Sequence, residues 1–397
     1  MGVLQFHRRR SKDQVISPEI QPDFCSLSSE QSLPSVASLT FKQSSTTEKH
    51  QYITTFKAHT SSISSLTLSG SHLISGSSDN LIRVWHTVPD TDLVATNLMA
   101  YGESAVKSML VSGDKLYTGH QDNKICVWKI DQDDNEQKLI KTTYVTTLPT
   151  LNDRVAKMFL TKNYVKIRRH KRCTWVHHVD AVSALALSHD GCFLYSGSWD
   201  RTFKVWRTSD FKCLESVWNA HDDAINAIVV CGAGYVYTGS ADRKIKVWSK
   251  DTGEKKHRLV DTLEKHNSAV NALALSADGS VLYSGACDRS IIVWEKGGGG
   301  DGRFMVVAGA LRGHSMAVLC VMVVGDLVVS GSADKTVRIW RRGIDGKKYS
   351  RVCVLEGHNG PVKCLAGGVD GSGSCYVVYS GSLDCDVKVW KIWVPFI

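Results

Sequence analysis

Residues 196–206 read SGSWDRTFKVW, and the same phrase recurs seven times along the chain. It consists of Ser or Thr, Gly, two variable positions, Asp, five further residues and Trp. The Trp residues of successive copies lie 42 to 50 residues apart, except for one interval of 78. This period indicates a supersecondary unit that is copied along the chain, each copy burying its faces against its neighbours. The copies are Ser75–Trp85, Thr118–Trp128, Ser196–Trp206, Thr238–Trp248, Ser284–Trp294, Ser330–Trp340 and Ser380–Trp390.

Each copy carries the patterns of short strands. After the Asp, apolar residues recur two positions apart, as at Phe203 and Val205, and this is the period of a strand. Upstream lies a run that is apolar along most of its length, such as Ala181–Leu187, which is typical of a strand buried on both faces. A fourth strand precedes a His. Four strands in each of seven copies predict an all-β fold, a single seven-bladed β-propeller.

The two ends of the repeat region predict how the ring closes. Gln51–Phe56 precede the first His without a blade of their own, and the seventh copy stops a few residues after Trp390. Because an open sheet edge invites pairing with other chains, we expect this N-terminal strand to complete the last blade, and we assign residues 51–397 to the propeller. Residues 1–50 are rich in Ser and Thr, which predicts a disordered tail. The alternative for Phe24–Phe41, where apolar residues lie among serines, is a short docking segment.

The repeats resemble those of WD-repeat proteins. In that family the His before each repeat and its Ser or Thr, Asp and Trp form a buried hydrogen-bonded tetrad. The second repeat departs from the pattern, because Gly102 occupies the position of the His. Losing one partner of a buried hydrogen bond costs about 1–3 kcal/mol, so we expect blade two to be the least stable. The implied sets are His59, Ser75, Asp79 and Trp85; Thr118, Asp122 and Trp128; His178, Ser196, Asp200 and Trp206; His221, Thr238, Asp242 and Trp248; His266, Ser284, Asp288 and Trp294; His314, Ser330, Asp334 and Trp340; and His358, Ser380, Asp384 and Trp390.

The long interval between Trp128 and Trp206 contains no further copy of the phrase, which predicts a basic insertion at about residues 149–175, before the inner strand of blade three. Residues 149–178 carry a net charge of +7, against +9 for the whole chain. Such local charge attracts acidic protein segments, phosphates or nucleic acid, and the alternative is a solvated loop that braces blade three. We expect the insertion to leave from the face of the His loops and Asp turns, or from the opposite face if residues 164–176 form the outer strand. Its basic residues are Arg154, Lys157, Lys162, Lys166, Arg168, Arg169, Lys171 and Arg172.

Short sequence elements in the insertion resemble one group within the WD-repeat family. Its elements TLPT (147–150), NYV (163–165) and RRH (168–170), together with the tail element SLPSV (32–36), are similar to plant WD-repeat proteins of the JINGUBANG-like group. That resemblance implies a regulatory adaptor without known chemistry, acting in the cytoplasm and the nucleus.

Other function classes find little support in the sequence. No apolar stretch is long enough to span a bilayer, and Met1–Lys12 lacks the apolar core of a secretory signal, so we expect the cytoplasm, the nucleus or both. The twelve cysteines include no pair at C-x-x-C spacing, and free thiols in a reducing compartment are expected. Since the regular His and Asp residues are assigned to tetrads and no catalytic or metal motif remains, we expect no enzyme activity, cofactor or metal ion.

The leading hypothesis is a noncatalytic, monomeric scaffold that binds protein partners, acidic ones among them, through the insertion and the face of the Asp turns. Trp199 is a candidate anchor, with packing beneath the insertion as the alternative. The first alternative function is nucleic-acid or phosphoinositide binding through the insertion, with a steep salt dependence. The second is a substrate receptor of a cullin-type ubiquitin ligase, although no repeat has the expected Trp-Asp-x-Arg box. The candidate turn residues are Arg201, Arg243, Arg289 and Lys335.

Overall fold

The computed structural model describes residues 36–41, 49–57, 59–86, 96–131, 141–158, 164–168, 171–251, 253–254, 256–297, 304–343, 345–370, 373 and 375–394. Within these ranges the chain forms 31 strands, numbered β1 to β31 in chain order, and one α-helix, α1. No helix in the described ranges has the length and apolarity needed to cross a membrane.

Seven antiparallel sheets in the described part of the chain form the blades of a propeller, which confirms the predicted fold. In blades one to six the strands follow one another from the innermost to the outermost in chain order. Blades one to four contain β3 (Ile63–Ser69), β4 (His72–Ser77), β5 (Leu81–His86) and β6 (Thr96–Tyr101); β7 (Val106–Ser112), β8 (Lys115–His120), β9 (Ile125–Asp131) and β10 (Lys141–Leu148); β13 (Val182–Leu187), β14 (Phe193–Ser198), β15 (Phe203–Arg207) and β16 (Cys213–Val217); and β17 (Ile225–Val230), β18 (Val236–Ser240), β19 (Ile245–Ser249) and β20 (Arg258–Leu263). Blades five to seven contain β21 (Val270–Leu275), β22 (Val281–Ala286), β23 (Ile291–Lys296) and β24 (Met305–Leu311); β25 (Val318–Val324), β26 (Leu327–Ser332), β27 (Val337–Arg342) and β28 (Tyr349–Leu355); and β29 (Val362–Val369), β30 (Tyr376–Ser382), β31 (Asp386–Trp393) and β2 (Lys49–Lys57).

The N-terminal strand β2 closes the ring, as predicted. It is the outer strand of blade seven and pairs antiparallel with β31, with Tyr52 opposite Trp390 and Phe56 opposite Val387. The inner strands contact one another in sequence around the ring, and that of blade seven contacts that of blade one. The two ends of the repeat region are therefore joined within one sheet.

The Gly of the repeated phrase is required because the next blade docks against it. A Cβ atom at Gly285 would lie 2.6 Å from Cγ1 of Val318, the first residue of the next inner strand. Real Cβ contacts are essentially never this short, so a side chain here would push the blades apart. The equivalent distances are 2.6–2.9 Å at Gly76, Gly119, Gly197, Gly239, Gly331 and Gly381.

The tetrad Trp of each blade packs into the joint with the preceding blade. Trp294 of blade five, for example, shares a buried apolar cluster with Tyr237 and Ile245 of blade four. The described residues form seven such clusters, one at each joint. The hydrophobic core is thus divided among the joints, and each blade depends on both neighbours for burial.

Inner strands are also linked by side chains that donate to the next inner strand. Asn226 Nδ2 donates to the carbonyl oxygen of Val270 at 3.0 Å, and Asn271 Nδ2 donates to that of Val318 at 2.9 Å. The thiol of Cys364 lies 3.8 Å from the Ile63 oxygen and so makes the weaker bond of a thiol. Sequence reasoning missed these contacts. The remaining donor and acceptor pairs are Ser64 and Val106, Ser108 and Val182, Ser183 and Ile225, and Cys320 and Val362.

The basic insertion leaves blade two at the face of the Asp turns, since Leu148 at the end of β10 pairs with Ile125, just after the Asp122 turn. It contains α1 (Leu151–Met158) and the hairpin of β11 (Tyr164–Arg168) and β12 (Lys171–Thr174). The carboxylate of Asp153 accepts the backbone N–H of Cys213 at 2.8 Å, which seats the start of α1 against the outer strand of blade three. The alternative that residues 164–176 form the outer strand of blade two is wrong, because β10 occupies that place.

Part of the span predicted to be disordered is ordered in the structure. Residues 36–41 lie against blades five and six, and β1 (Thr40–Phe41) adds a fifth, parallel strand to blade six. The cause is local burial: Val36 is buried and Leu39 packs against the cluster between these blades. Residues 1–35 and 42–48 lie outside the described residues. The ten cysteines whose side chains the structure describes are free thiols.

Candidate interaction face

In six blades the tetrad residues form a continuous hydrogen-bonded chain. The His Nδ1 lies 2.8–3.0 Å from the Asp carboxylate. The His Nε2 lies 2.7–2.8 Å from the Ser or Thr hydroxyl. In five of these blades the Trp Nε1–H donates to the same hydroxyl at 2.7–2.9 Å. The six sets begin at His59, His178, His221, His266, His314 and His358.

The network assigns the protonation states of its members. The Ser or Thr hydroxyl accepts a hydrogen bond from the Trp N–H, so its own O–H donates a hydrogen bond to His Nε2. The Nδ1–H of the same imidazole donates to the Asp carboxylate. A neutral imidazole beside an ionised Asp satisfies every donor. Burial lowers the pKa of His59, His178 and His314 despite the neighbouring carboxylates. Burial alone would raise the pKa of the Asp242 carboxyl, but the hydrogen bond from His221 and the backbone amides outweigh it and lower that pKa to about 2.

Each tetrad Asp also fixes two surface segments. In blade four, Asp242 Oδ2 accepts the backbone N–H of Asp222, directly after His221, at 3.0 Å, and Oδ1 accepts that of Lys244, beyond the turn, at 3.0 Å. The same two bonds form in all six blades with a regular tetrad. The buried chain thereby holds the loop after the His and the turn after the Asp. We call the face that these segments form the top face; it carries Thr60, Glu103, Val179, Asp222, Asn267, Ser315 and Asn359 in the loops and Asn80, Asn123, Arg201, Arg243, Arg289, Lys335 and Cys385 in the turns.

Blade two replaces the missing His with His120, which sequence reasoning did not identify. Its Nε2 lies 2.7 Å from the Thr118 hydroxyl, which also accepts the Trp128 indole N–H at 3.0 Å, and its Nδ1–H donates to the Ser104 carbonyl oxygen at 3.0 Å. A Cβ atom at Gly102 would lie 3.0 Å from the His120 ring, so a side chain there competes with it for space.

The structure corrects two points about blade two. Asp122, placed with Thr118 and Trp128 in the implied set, does not join their hydrogen bonds in the described part of the chain; its carboxylate pairs with the Lys124 ammonium at 3.1 Å, which also binds Glu103. The expectation that blade two is the least stable rested on a lost hydrogen-bond partner. That reason also fails, because the Thr118 hydroxyl bonds both His120 and Trp128. The signal in the sequence is the pair of exchanges: Gly102 stands where other blades have His, and His120 stands where most have Ser.

Blade six departs from the pattern at its Trp. The indole Nε1 of Trp340 is buried and has no hydrogen-bond partner among the described residues. The ring is held by packing alone, with zero exposure and an edge contact to His314 at 5.9 Å between ring centroids. The tetrad of blade six therefore contains one hydrogen bond fewer.

The turn residues of the top face share an unusual backbone conformation. All seven have φ between +64° and +72°, a region that Gly and Asn tolerate and that costs other residues roughly 1–2 kcal/mol. Blades one and two have Asn80 and Asn123 there. Blades three to six, four in succession, have the basic residues that we call the basic arc: Arg201, Arg243, Arg289 and Lys335.

The side chains of the basic arc are available for contacts. Arg201, Arg243 and Lys335 are exposed and Arg289 is half-buried. Within the described ranges, none of the four forms a side-chain hydrogen bond or ion pair, and the Nε atom of Arg289 is buried without a partner. Lys124, by contrast, is paired with two carboxylates.

Of the other predicted binding residues, Trp199 lies in the same turn as Arg201, where the Arg201 N–H donates to the Ser198 carbonyl oxygen at 3.2 Å, and the rest lie in the insertion. Trp199 is half-buried, and the Lys107 ammonium of blade two lies 5.6 Å from the centroid of its ring. Arg154 Nε donates to the Pro149 carbonyl oxygen at 2.8 Å and so stabilises the start of the insertion. Arg169 lies outside the described residues, and only the backbone is described at Lys157, Lys166, Arg168, Lys171 and Arg172.

The described residues contain no cluster of three or more His, Cys, Asp or Glu side chains that could hold a metal ion.

Comparison with known proteins identifies the repeats. The model of the family "WD domain, G-beta repeat" matches residues 50–86, 170–207, 211–249, 257–295, 305–341 and 349–391. These spans leave out blade two, where the His is displaced. A search of curated protein sequences finds no match. Among solved structures, the chain is similar to the WD40 β-propeller domain of Doa1, with 21% identity, a TM-score of 0.64, and coverage of 86% of this chain and 96% of that one.

Proposed function

The chain belongs to the WD40-repeat family, and on that premise we propose that it is a noncatalytic scaffold that binds protein partners through its top face. Apart from the Trp340 indole N–H, the polar side-chain groups of the six tetrads that contain a His and of their blade-two substitute are bonded within the blades. The chemistry left over for recognition is therefore that of the loops and turns they position. Interaction surfaces on such folds are formed by residues that the scaffold holds in place and does not itself need.

The basic arc is the observation that carries this proposal. Four successive blades place Arg or Lys at a left-handed turn position, where Asn or Gly would be less strained. Within the described ranges these side chains make no hydrogen bond or ion pair that would offset the backbone strain. Backbone strain without a structural benefit is typical of functional sites. Arg is also favoured as an interface anchor and binds carboxylates in a bidentate manner, so we propose an acidic segment of a partner protein as the ligand.

The test compares partner capture by three forms of the full chain. One form carries Arg201→Asn, Arg243→Asn, Arg289→Asn and Lys335→Asn. The second, matched in charge, carries Asn at four exposed lysines of the connections on the opposite face: Lys212, Lys250, Lys347 and Lys348. Quantitative affinity capture from cells that express each form should show partners that are retained by wild type and by the matched form, and lost from the first. Equal capture by all three forms would contradict the proposal.

The basic insertion is a separate element of the proposed surface, because it starts and ends on the top face beside blade three. A fourth form carries charge reversals at Arg168, Arg169 and Arg172. Loss of capture in this form alone would assign recognition to the insertion. If the captured species were nucleic acid or phosphoinositide held by the insertion, binding would fall steeply with salt and would survive the four Asn substitutions in the basic arc, which together distinguish this alternative from protein recognition.

The sequence of the insertion and the SLPSV element support a narrower proposal, that the protein is a plant regulatory adaptor of the JINGUBANG-like group acting in the cytoplasm and nucleus. Imaging a fluorescent fusion in plant cells tests this part. Confinement to another compartment would contradict it and leave the scaffold proposal untouched.

A further inference from the structure

Residues Val36–Phe41 fill a cleft between two blades. Along this segment Leu39 N–H donates to the Ala310 carbonyl oxygen at 3.0 Å, and Ala310 N–H donates to the Ala37 oxygen at 2.9 Å. One step further, Tyr349 N–H donates to the Leu39 oxygen at 3.2 Å. Ala310 belongs to β24, the outer strand of blade five, and Tyr349 to β28, the outer strand of blade six. The segment therefore bonds through its backbone to the outer edges of two neighbouring blades.

Side chains of the cleft add selectivity to the backbone pairing. Arg312 Nη2 donates to the Val36 carbonyl oxygen at 2.6 Å, and Arg312 N–H donates to the Thr40 hydroxyl at 3.3 Å. Leu39 packs against the apolar cluster of the joint. Ser38, the residue directly before Leu39, is exposed. The cleft thus accepts an extended strand with an apolar residue that points inward and a hydroxyl at the next position.

Gly309 provides the space for Leu39. A Cβ atom at Gly309 would overlap Cγ of Leu39, and the three nearest atoms all belong to the segment, two to Leu39 and one to Ala37. At the glycines of the repeated phrase, by contrast, the nearest atoms belong to the blades themselves. The missing side chain in β24 creates a socket for the incoming leucine.

This cleft has the features of a strand-addition site. An exposed outer strand presents unpaired N–H and C=O groups, and extended peptides bind such edges with backbone bonds for affinity and a side-chain pocket for specificity. In the described part of the chain, blade six is the one blade that carries a fifth strand. The segment is tethered by only the seven residues 42–48 to β2 of blade seven.

We propose that the cleft between the outer strands of blades five and six is a peptide-binding site whose resident ligand is the chain's own Val36–Phe41. A partner protein with an extended segment of the same pattern, an apolar residue in the place of Leu39 followed by Ser or Thr, displaces it. This site lies on the outer edge of the ring and is independent of the top face. The protein then has two recognition surfaces, and the second is occupied until a competitor arrives.

The tether sets the affinity that the test must reach. A connection of a few residues gives an effective concentration in the millimolar range. A segment that occupies its site about ten times out of eleven in the tethered state therefore binds as a free peptide with a Kd of roughly 0.1 mM or tighter. The probe is a fluorescently labelled peptide of residues 34–43. It is titrated into the full-length wild-type chain and into full-length Leu39→Asp, in which the inward side chain is charged and the resident segment leaves the cleft.

We expect saturable binding to Leu39→Asp and binding to wild type that is weaker by about tenfold or more, since the resident segment reduces the fraction of open sites. A peptide that carries the same Leu39→Asp change should not bind. Adding Gly309→Val to the Leu39→Asp chain fills the socket and should abolish peptide binding without lowering the melting temperature. Absence of binding to a folded Leu39→Asp chain, or equal binding to wild type, would overturn the proposal.

Amide hydrogen exchange gives an independent readout on the same proteins. Exchange at Ala310 and Tyr349 should be faster in Leu39→Asp than in wild type, because these N–H groups lose their acceptors, while amides of the inner strands stay unchanged. Unchanged protection at both positions would show that the segment does not occupy the cleft, and would also overturn the proposal.

Discussion

The hydroxyl of Thr118 and Nε2 of His120 lie 2.7 Å apart, within a single strand of blade two. In the six regular blades the imidazole reaches the equivalent hydroxyl from a loop that precedes the blade. In blade two the imidazole comes from the same strand as the hydroxyl, two residues after Thr118. The His120 imidazole fills the space that Gly102 leaves open. The hydroxyl is thus the fixed point of the network, and the origin of its imidazole partner is variable.

This exchange predicts coupled mutations. His120→Ser should lower the free energy of unfolding by about 1–3 kcal/mol, since it leaves buried polar groups unpaired. Gly102→His should also destabilise, because the new side chain meets the His120 ring. The double variant Gly102→His with His120→Ser restores the regular arrangement and should be more stable than the Gly102→His single variant. Urea denaturation of all four forms completes a double-mutant cycle; additive losses would show that the two positions do not share one site.

The unpaired indole of blade six predicts a difference between two Trp substitutions. Trp294→Phe removes the bond from Nε1 to the Ser284 hydroxyl at 2.8 Å, whereas Trp340→Phe removes no hydrogen bond within the described residues. Both rings are buried, so the loss of packing is similar. We expect Trp294→Phe to cost about 1 kcal/mol more in unfolding free energy. A larger loss for Trp340→Phe in the same denaturation assay would contradict the assignment.

The protonation states of the tetrads predict loss of stability in acid. The pKa values of His59, His178 and His314 are below the ordinary 6.5, so the unfolded chain binds protons first and stability falls as the pH drops through 6.5. The carboxyls act in the same direction at lower pH. The pKa of Asp242 falls from 3.8 to about 2, so its contribution is present above 3.8 and is lost below it. Thermal melts between pH 8 and pH 4 check this, and a melting temperature that rises from pH 7.5 to 5.5 would mean that the histidines are charged.

Closure of the ring by β2 predicts that Phe56 is critical. Its ring stacks on that of Trp85 in blade one, with centroids 4.7 Å apart and planes within 9°. Phe56 is 4% exposed, and Phe56→Ala should lower the unfolding free energy by about 3–5 kcal/mol. Tyr52 on the same strand is 48% exposed, so Tyr52→Ala serves as the control with a smaller loss. Similar losses for both variants would indicate that the strand contributes by backbone pairing alone.

The sequence predicted what depends on periodic signals. Seven copies of one phrase, a strand before the first His without a blade of its own, and a seventh copy that stops soon after Trp390 were sufficient for the blade number and for the closure of blade seven. The basic turn residues also fell where predicted, because they follow the tetrad Asp at a fixed spacing. The backbone strain of these turn residues could not be predicted from the sequence, because their φ angle depends on the turn geometry that the tetrad imposes.

Contacts between distant residues escaped the sequence analysis. His120 was passed over because the pattern places the imidazole before the blade, and only the fold shows that a strand residue reaches the same hydroxyl. The docking of Leu39 depends on the absence of a side chain at Gly309, far along the chain. Composition had predicted disorder there, since six residues with one buried and one half-buried apolar side chain scarcely alter the average over residues 1–50.

The central claim is that the tetrads stabilise the ring while the basic arc serves recognition. Its most direct test is the free energy of unfolding of the form with Asn at positions 201, 243, 289 and 335, measured by urea denaturation against wild type. Because Asn tolerates the left-handed turn, that free energy should stay the same or rise, by up to about 1 kcal/mol per position. A fall of about 1 kcal/mol or more would contradict the claim, since it would show that these four side chains stabilise the ring.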